Sequence, residues 1–133
     1  MSDNQVLLKN IFSDFPIFLT KNSFTGDLNL TKDMSSVKNS IKNIVMTNIG
    51  ERGFDYDFGG NISSILFEPM HDDFRLSAHR IRLANILTRY EPRVAVDKII
   101  FDTSTNYINI IIEYSLLTLN TKDKVTIKLE RSR

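Results

Sequence analysis

The chain has 133 residues, which suits one ordinary domain rather than two. Its 17 Lys and Arg residues nearly balance 16 Asp and Glu residues, so the net charge of +1 gives no general reason to expect nucleic-acid binding. There is no cysteine, which excludes disulfides, a thiol nucleophile and cysteine-bound metals. The sequence has no run of about 18 apolar residues, so no transmembrane helix is expected.

The N-terminal segment combines apolar residues with helix breakers. Residues 1–33 are too apolar for a free tail, yet Pro16 prevents a regular helix through them. The alternation at residues 27–30 is typical of a short strand. We therefore expect an N-terminal arm, residues 1–33, with an edge strand, followed by a single domain over residues 34–133.

A first helix is predicted over residues 35–48, where apolar side chains recur on one helical face. Asp33 or Ser35 is the expected N-cap, and Gly50 is a plausible C-terminal stop. A short helix is also expected over residues 62–67.

Between these helices, residues 50–61 form a glycine-rich loop. Four glycines in twelve residues break both helix and strand. The segment also carries Phe54, Tyr56 and Phe58, which are expected to need burial. We therefore expect an ordered loop.

The longest helical pattern covers residues 72–90 and is ended by Pro92. At about 100° per residue, four basic side chains fall within roughly 80° of one another. They form what we call the basic stripe: Arg75, His79, Arg82 and Arg89. Most of the remaining arc is apolar, which predicts a helix that is buried on most sides. The stripe could be a solvated face, or it could contact an acidic protein surface or nucleic acid.

Three strands are predicted in the last third of the chain. The first covers residues 94–101, and turns are expected at 102–106 and 120–123. The middle strand alternates cleanly, with Ile108, Ile110, Ile112, Tyr114 and Leu116 on one face. The third strand places Val125, Ile127 and Leu129 inward. This pattern predicts an α+β fold in which two main helices pack on an antiparallel meander.

The sequence gives little support for catalysis. The candidate acids for a glycosidase pair are Glu51, Asp55, Asp57 and Glu68, but sequence spacing does not establish their separation. A calcium loop counted from Asp55 fails at its closing position, which is Leu66. No phosphate-binding glycine motif is present, and His71 and His79 have no evident serine and aspartate partners. No catalytic residue, metal or cofactor is therefore assigned.

The tetrapeptide Tyr90-Glu91-Pro92-Arg93 is the most unusual motif. Pro92 turns the helix into a strand with little freedom, so Glu91 and Arg93 lie on a rigid corner. We call Glu91, Pro92 and Arg93 the Glu-Pro-Arg corner. The two charges could pair with each other, or the arginine fork could recognise a partner.

Several motifs stand in the order found in a known family. They are Ser36-Val37-Lys38-Asn39-Ser40-Ile41, Gly50-Glu51-Arg52-Gly53, Phe58-Gly59, Ile65-Leu66-Phe67-Glu68 and the Glu-Pro-Arg corner. Residues 36–131 resemble the gene-25-like baseplate wedge proteins of contractile-tailed phages, which are related to TssE of type VI secretion. The length suggests a T-even-like myophage member. The first 33 residues match the family poorly.

The resemblance implies a fold like the core of the tail sheath subunit and a non-enzymatic role in the virion. It implies that Glu91, Pro92 and Arg93 dock on the helical core bundle of the wedge, and that assembly occurs in the host cytoplasm. It further implies contact with other hub or wedge subunits, and with the sheath protein through strand addition, so that sheath assembly starts on this protein. Neither nucleic acid nor membrane is an expected partner.

Two other functions stay open. Some family members carry a lysozyme label, so a peptidoglycan-degrading tail enzyme is the main alternative. Nucleic-acid binding through the basic stripe is the other, and it would require steeply salt-dependent binding.

Overall fold

The computed structural model describes residues 13–14, 21, 23–24, 31–32, 34–67, 73–104 and 106–130. The chain divides into two compact units, residues 1–39 and 40–133. In the first unit, β1 (Ser13–Asp14) and β2 (Thr31–Lys32) form a two-stranded antiparallel sheet of their own. The edge strand expected at residues 27–30 lies outside the described residues.

The first helix, α1, covers Met34–Met46 and is close to the predicted range. Ser35 lies inside the helix and is therefore not its N-cap, while Asp33 is outside the described residues. The helix ends earlier than expected, because the backbone N–H of Asn48 bonds the side chain of Glu51 at 2.8 Å instead of continuing the helix. The expected short helix is a 3-10 helix over Ile62–Phe67.

The second helix, α2, covers Asp73–Tyr90 and packs on the first strand of the main sheet. Its buried face consists of Leu76, Leu83 and Leu87. The expectation of burial on most sides was wrong, because Phe74, Ala78 and Ile81 are exposed. A helix that lies on one face of a sheet buries a single stripe, and here that stripe is the leucine face.

The main sheet has three strands: β3 (Val94–Thr103), β4 (Tyr107–Leu116) and β5 (Thr121–Glu130). Their order is β3-β4-β5 and both pairings are antiparallel, which confirms the predicted meander. β4 and β5 pair without interruption, whereas the β3–β4 register shifts between Val96 and Lys98. The shift marks Asp97 as the extra residue of a β-bulge.

The core of the second unit lies between the helical segments and the inner face of this sheet. Every second residue of β4 is buried, as the alternation predicted. Burial of each large aliphatic side chain contributes about 1.5–3 kcal/mol. The buried apolar residues of this unit are Ile41, Ile44, Val45, Ile62, Ile65, Leu76, Leu83, Leu87, Val94, Phe101, Ile108, Ile110, Ile112, Tyr114, Leu116, Val125 and Ile127.

Candidate docking site

The Glu-Pro-Arg corner joins the end of α2 to the start of β3. The Glu91 N–H still donates to the Leu87 carbonyl, at 2.8 Å, so Glu91 completes the last helical turn. The Val94 N–H then donates to the Glu91 carbonyl at 3.3 Å, and the Leu117 N–H donates to the Arg93 carbonyl at 3.1 Å. These bonds tie the corner both to α2 and to the turn that follows β4, so its backbone is fixed on two sides.

An ion pair closes the corner internally. Both oxygens of the Glu91 carboxylate accept hydrogen bonds from the Arg93 guanidinium, and the Nη2–Oε2 distance is 2.6 Å. The Glu91 side chain is only 2% exposed, whereas that of Arg93 is 29% exposed. The structure therefore contains the intramolecular pair that the sequence left as one of two possibilities. Pro92 is exposed, so a partner would meet Pro92 and the open part of Arg93 first.

The charge of Glu91 is held in a buried position. Burial alone would raise the pKa of this carboxyl, but the hydrogen bonds from Arg93 and from the Ser40 hydroxyl outweigh it and hold the pKa below its ordinary value. Glu91 is therefore ionised at neutral pH. Ser40, on α1, is a contributor that sequence reasoning missed, because nothing in the sequence shows that α1 lies beside the corner.

The basic stripe is present on α2, although its members differ in exposure. Arg75, Arg82 and Arg89 are exposed, and His79 is half-buried. The guanidinium of Arg89 lies 5.2 Å from the ring centroid of Tyr90, the last residue of the helix. The stripe therefore extends along α2 to the start of the corner.

A groove runs along the same helix, and part of the basic stripe lines it. Its volume is about 520 Å3. Its walls combine apolar and basic groups of α2 with one carboxylate of the glycine-rich loop, and the lining residues are Asp57, Ala78, Ile81, Arg82, Asn85, Ile86 and Arg89. A helical partner with an apolar strip and acidic flanks has the chemistry that this groove accepts.

The glycine-rich loop is ordered by its backbone. Gly59 has a φ of 114°, and a Cβ at this position would lie 2.4 Å from the carbonyl oxygen of Thr47, so no other residue fits without a shift. The neighbouring Gly60 N–H donates to the Ile44 carbonyl at 2.9 Å. The loop is thereby fastened to the end of α1.

Side chains connect the loop to α2. The Tyr90 hydroxyl donates to the Asp55 carboxylate at 3.0 Å, and the Tyr90 ring meets the Phe58 ring edge-on at 4.8 Å. The guanidinium of Arg52 lies 4.3 Å from the centroid of Phe58 on the same loop. Phe58 is thus partly buried, as expected, but Phe54 and Tyr56 are exposed, and the expectation of burial was wrong for both.

Two of the four acids considered for catalysis, Glu51 and Asp55, have structural hydrogen-bond partners that fasten this loop. Glu51 accepts hydrogen bonds from the backbone N–H and the side-chain amide of Asn48, both at 2.8 Å, and these bonds lower its pKa. Asp55 accepts the Tyr90 hydroxyl, and Asp57 is exposed at the groove. Glu68 and His71 lie outside the described residues. Among the residues that are described, no group of three His, Asp or Glu side chains is placed to hold a metal ion.

The fold is thus a small α+β domain whose candidate site is a docking surface on one helix and its end. The comparisons identify the family of this fold. The model of the family described as baseplate wedge protein gp25 matches residues 31–121, and this chain belongs to that family. It is 31% identical over 99 residues to baseplate wedge protein gp25 of Enterobacteria phage T4, which covers 73% of this chain and 68% of the relative.

Solved structures show the same fold at lower identity. One is a crystal structure from Geobacter sulfurreducens, described as that of a candidate tail lysozyme, with a TM-score of 0.65, 22% identity and coverage of 74% of this chain and 91% of that one. Another is a chain in the anti-feeding prophage baseplate, with a TM-score of 0.62, 19% identity and coverage of 90% and 85%. The sequence predicted no transmembrane helix. Among the described residues, neither α1 nor α2 is long and apolar enough to span a bilayer.

Proposed function

We propose that this chain is a structural, non-enzymatic subunit of the baseplate wedge in a contractile phage tail, and that it is part of the virion. The observation that carries the proposal is the match to the gp25 family over residues 31–121, a range that includes the glycine-rich loop, the basic stripe and the Glu-Pro-Arg corner. We further propose that the phage is a T-even-like myophage and that the subunit is assembled into the tail in the cytoplasm of the host cell.

The corner is the proposed contact with the helical core bundle of the wedge. Glu91 is a positioning residue, because its buried carboxylate holds one edge of the Arg93 guanidinium through two hydrogen bonds. A guanidinium held in one orientation loses less rotamer freedom when it binds a planar acceptor. Arg93 and the exposed Pro92 then form the contact surface.

The basic stripe is proposed to extend this contact along α2. Arg82 and Arg89 border the groove, and the apolar Ile81 also lines it. Acidic groups on a wedge protein would pair with the arginines while its apolar groups cover Ile81. Arg75 and His79, nearer the start of α2, are proposed to contribute to the same surface.

The tail sheath protein is the proposed partner of the main sheet, on which sheath assembly would begin. A free edge is required for strand addition, and the two edges of this sheet are different. β3 carries the bulge at Asp97, whereas β5 pairs regularly with β4 from Thr121 to Glu130. A regular strand offers an uninterrupted ladder, so we propose that the sheath strand adds to β5. Lys122 and Lys124 on β5 are exposed and favour an acidic strand, whereas the exposed Lys128 already pairs with Glu130.

Changes at one arginine of α2 and at the arginine of the corner test the docking surface. Arg89→Glu and Arg93→Lys are each co-expressed with the other wedge proteins of the same phage, and the assembled wedge is purified. Both variants are expected to fold, as measured by circular dichroism, and to lose incorporation. Lys98→Glu, on an exposed lysine of β3, is the matched control and is expected to assemble normally. Normal assembly of both arginine variants would contradict the docking surface.

Hydrogen exchange tests the choice of sheet edge. When sheath protein is added to the assembled wedge, new amide protection is expected in β5, at residues 121–130. Protection confined to β3 would show that the edge is wrong.

A cell-wall turbidity assay tests the enzymatic alternative. The Geobacter neighbour is described as a candidate tail lysozyme, but it is only 22% identical and shows the fold alone. Purified protein is expected to leave peptidoglycan intact, since Glu51 and Asp55 already serve the loop. Lysis that is lost on changing one of these acids would overturn the structural role.

A further inference from the structure

The glycine-rich loop carries an aromatic ring that the fold does not use. Phe54 has an exposure of 108% of the reference value for its residue type, the largest among the exposed apolar side chains of the described residues. Scattered apolar residues on a surface are ordinary in proteins, so exposure alone means little. The fixed backbone and the charges around Phe54 indicate whether this exposed ring can serve as a binding group.

The backbone on both sides of Phe54 is fixed. The Asp55 N–H donates to the Arg52 carbonyl at 3.3 Å, which closes a turn with Phe54 inside it. The Phe58 N–H donates to the Asp55 carbonyl at 3.2 Å, and the Gly50 N–H donates to the Tyr56 carbonyl at 3.1 Å. The loop is therefore already ordered before any partner arrives, and little backbone entropy remains to be lost on binding.

Three of the four charged side chains of the loop contact the protein itself, and the fourth, Asp57, is exposed at the groove. Glu51 bonds Asn48, Asp55 bonds Tyr90, and Arg52 stacks on Phe58. Each of these groups already holds the loop in place. Phe54 lies between them in sequence and is more exposed than Tyr56, which is 72% exposed, so it offers the largest apolar surface of the loop to a partner.

We propose that Phe54 is an anchor residue that inserts into an apolar pocket on another protein of the baseplate wedge. This inference rests on the proposed function, since it assumes that the chain is assembled into a wedge. An aromatic ring on a rigid loop supplies a large buried area at low entropic cost, which is typical of residues that dominate protein interfaces.

The charge of the loop favours a protein pocket over other surfaces. Glu51, Asp55 and Asp57 carry three carboxylates against the single guanidinium of Arg52, so residues 50–58 are net negative. Anionic lipid headgroups and nucleic-acid phosphates attract loops rich in lysine and arginine and would repel this one. An apolar protein pocket with a neutral or basic rim has no such conflict.

The test uses the full chain and a matched pair of phenylalanines. Phe54→Ala and Phe67→Ala remove the same side chain from two exposed positions, and Phe67 is 80% exposed at the end of the 3-10 helix. The probe is the complex of the other wedge proteins of the same phage, co-expressed and purified without this chain. Phe54→Ala is expected to weaken binding by about tenfold or more, and Phe67→Ala by less than about twofold. Both variants are expected to keep the wild-type melting temperature.

The outcomes separate this inference from the proposed function. If the unchanged chain binds the wedge complex and Phe54→Ala binds equally well, the anchor is wrong and the wedge role stands. If the unchanged chain does not bind, the wedge role itself fails. Sedimentation with vesicles of phosphatidylcholine and phosphatidylglycerol is expected to show no binding, and binding that depends on Phe54 would overturn the choice of a protein pocket. Phe54→Tyr, which keeps the ring, is expected to restore most of the affinity.

Discussion

The Glu-Pro-Arg corner and the glycine-rich loop are two rigid turns at the same end of α2, and different forces hold them. The corner depends on one buried ion pair between residues two positions apart. The loop depends mainly on backbone hydrogen bonds, a ring contact and the close fit of Gly59, and Glu51 and Asp55 add side-chain hydrogen bonds. Removal of a charge should therefore act most strongly on the corner, and steric changes most strongly on the loop.

The largest effect is expected from Gly59→Ala. The added Cβ would meet the Thr47 carbonyl at 2.4 Å, at a φ of 114° that alanine rarely adopts. The clash and the backbone strain together are expected to cost about 3 kcal/mol or more in the free energy of unfolding. Urea denaturation measures this change.

Gly53→Ala in the same loop is the control for that prediction. A Cβ there meets nothing within 4 Å, and its φ is not in the positive region. The control is expected to be neutral or slightly stabilising, since alanine restricts the unfolded chain. Equal loss in both variants would mean that the loop is not fixed at Gly59.

A smaller effect is expected from Glu91→Ala. Removal of the carboxylate leaves the guanidinium of Arg93 without its buried partner, and loss of one member of a buried pair costs about 3–5 kcal/mol. Because Arg93 is 29% exposed and can be rehydrated, we expect about 2 kcal/mol. Lys128→Ala breaks an exposed pair with Glu130 and should change stability little. If Glu91→Ala and Lys128→Ala were equally stable, the Glu91–Arg93 ion pair would contribute no more than an ordinary surface pair.

The smallest effect on the free energy of unfolding is expected from a change of pH. This effect should involve the corner and not Gly59 of the loop. The pKa of Glu91 is lower in the folded chain than in the unfolded one, so its contribution is complete above the unfolded pKa of about 4.3 and is lost as pH falls through the folded pKa. The urea concentration at the unfolding midpoint of the unchanged chain should therefore fall from pH 7 to pH 4 and again to pH 3. Glu91→Gln should decline less steeply, while Gly59→Ala should keep the wild-type slope.

The difference between the two turns also explains what could be predicted from sequence. Alternation identified β4 with its buried residues, and helical spacing identified α1 and α2, although not that burial of α2 is confined to its leucine face. These patterns reflect local periodicity, which the sequence contains directly. The predicted stripe on α2 followed from the same geometry.

What depends on distant contacts could not be predicted. Hydrophobicity placed Phe54 and Ile81 inside the domain, because apolar side chains are usually buried, yet both are exposed. The Ser40 bond to Glu91 and the groove beside Asp57 join segments far apart in the chain, so local pattern gave no signal for them. Two of the errors in predicted burial, at Phe54 and Ile81, therefore fall on surfaces that we propose for docking.

The meander has a consequence for how the protein folds. Each strand of the main sheet pairs with the strand next to it in the chain, and the ion pair of the corner is equally local. Low contact order of this kind favours rapid folding, because little chain entropy is lost before native contacts form. Residues 94–130 are therefore expected to fold early, without contacts from another subunit of the wedge. A wedge under construction would then receive a subunit that is already shaped.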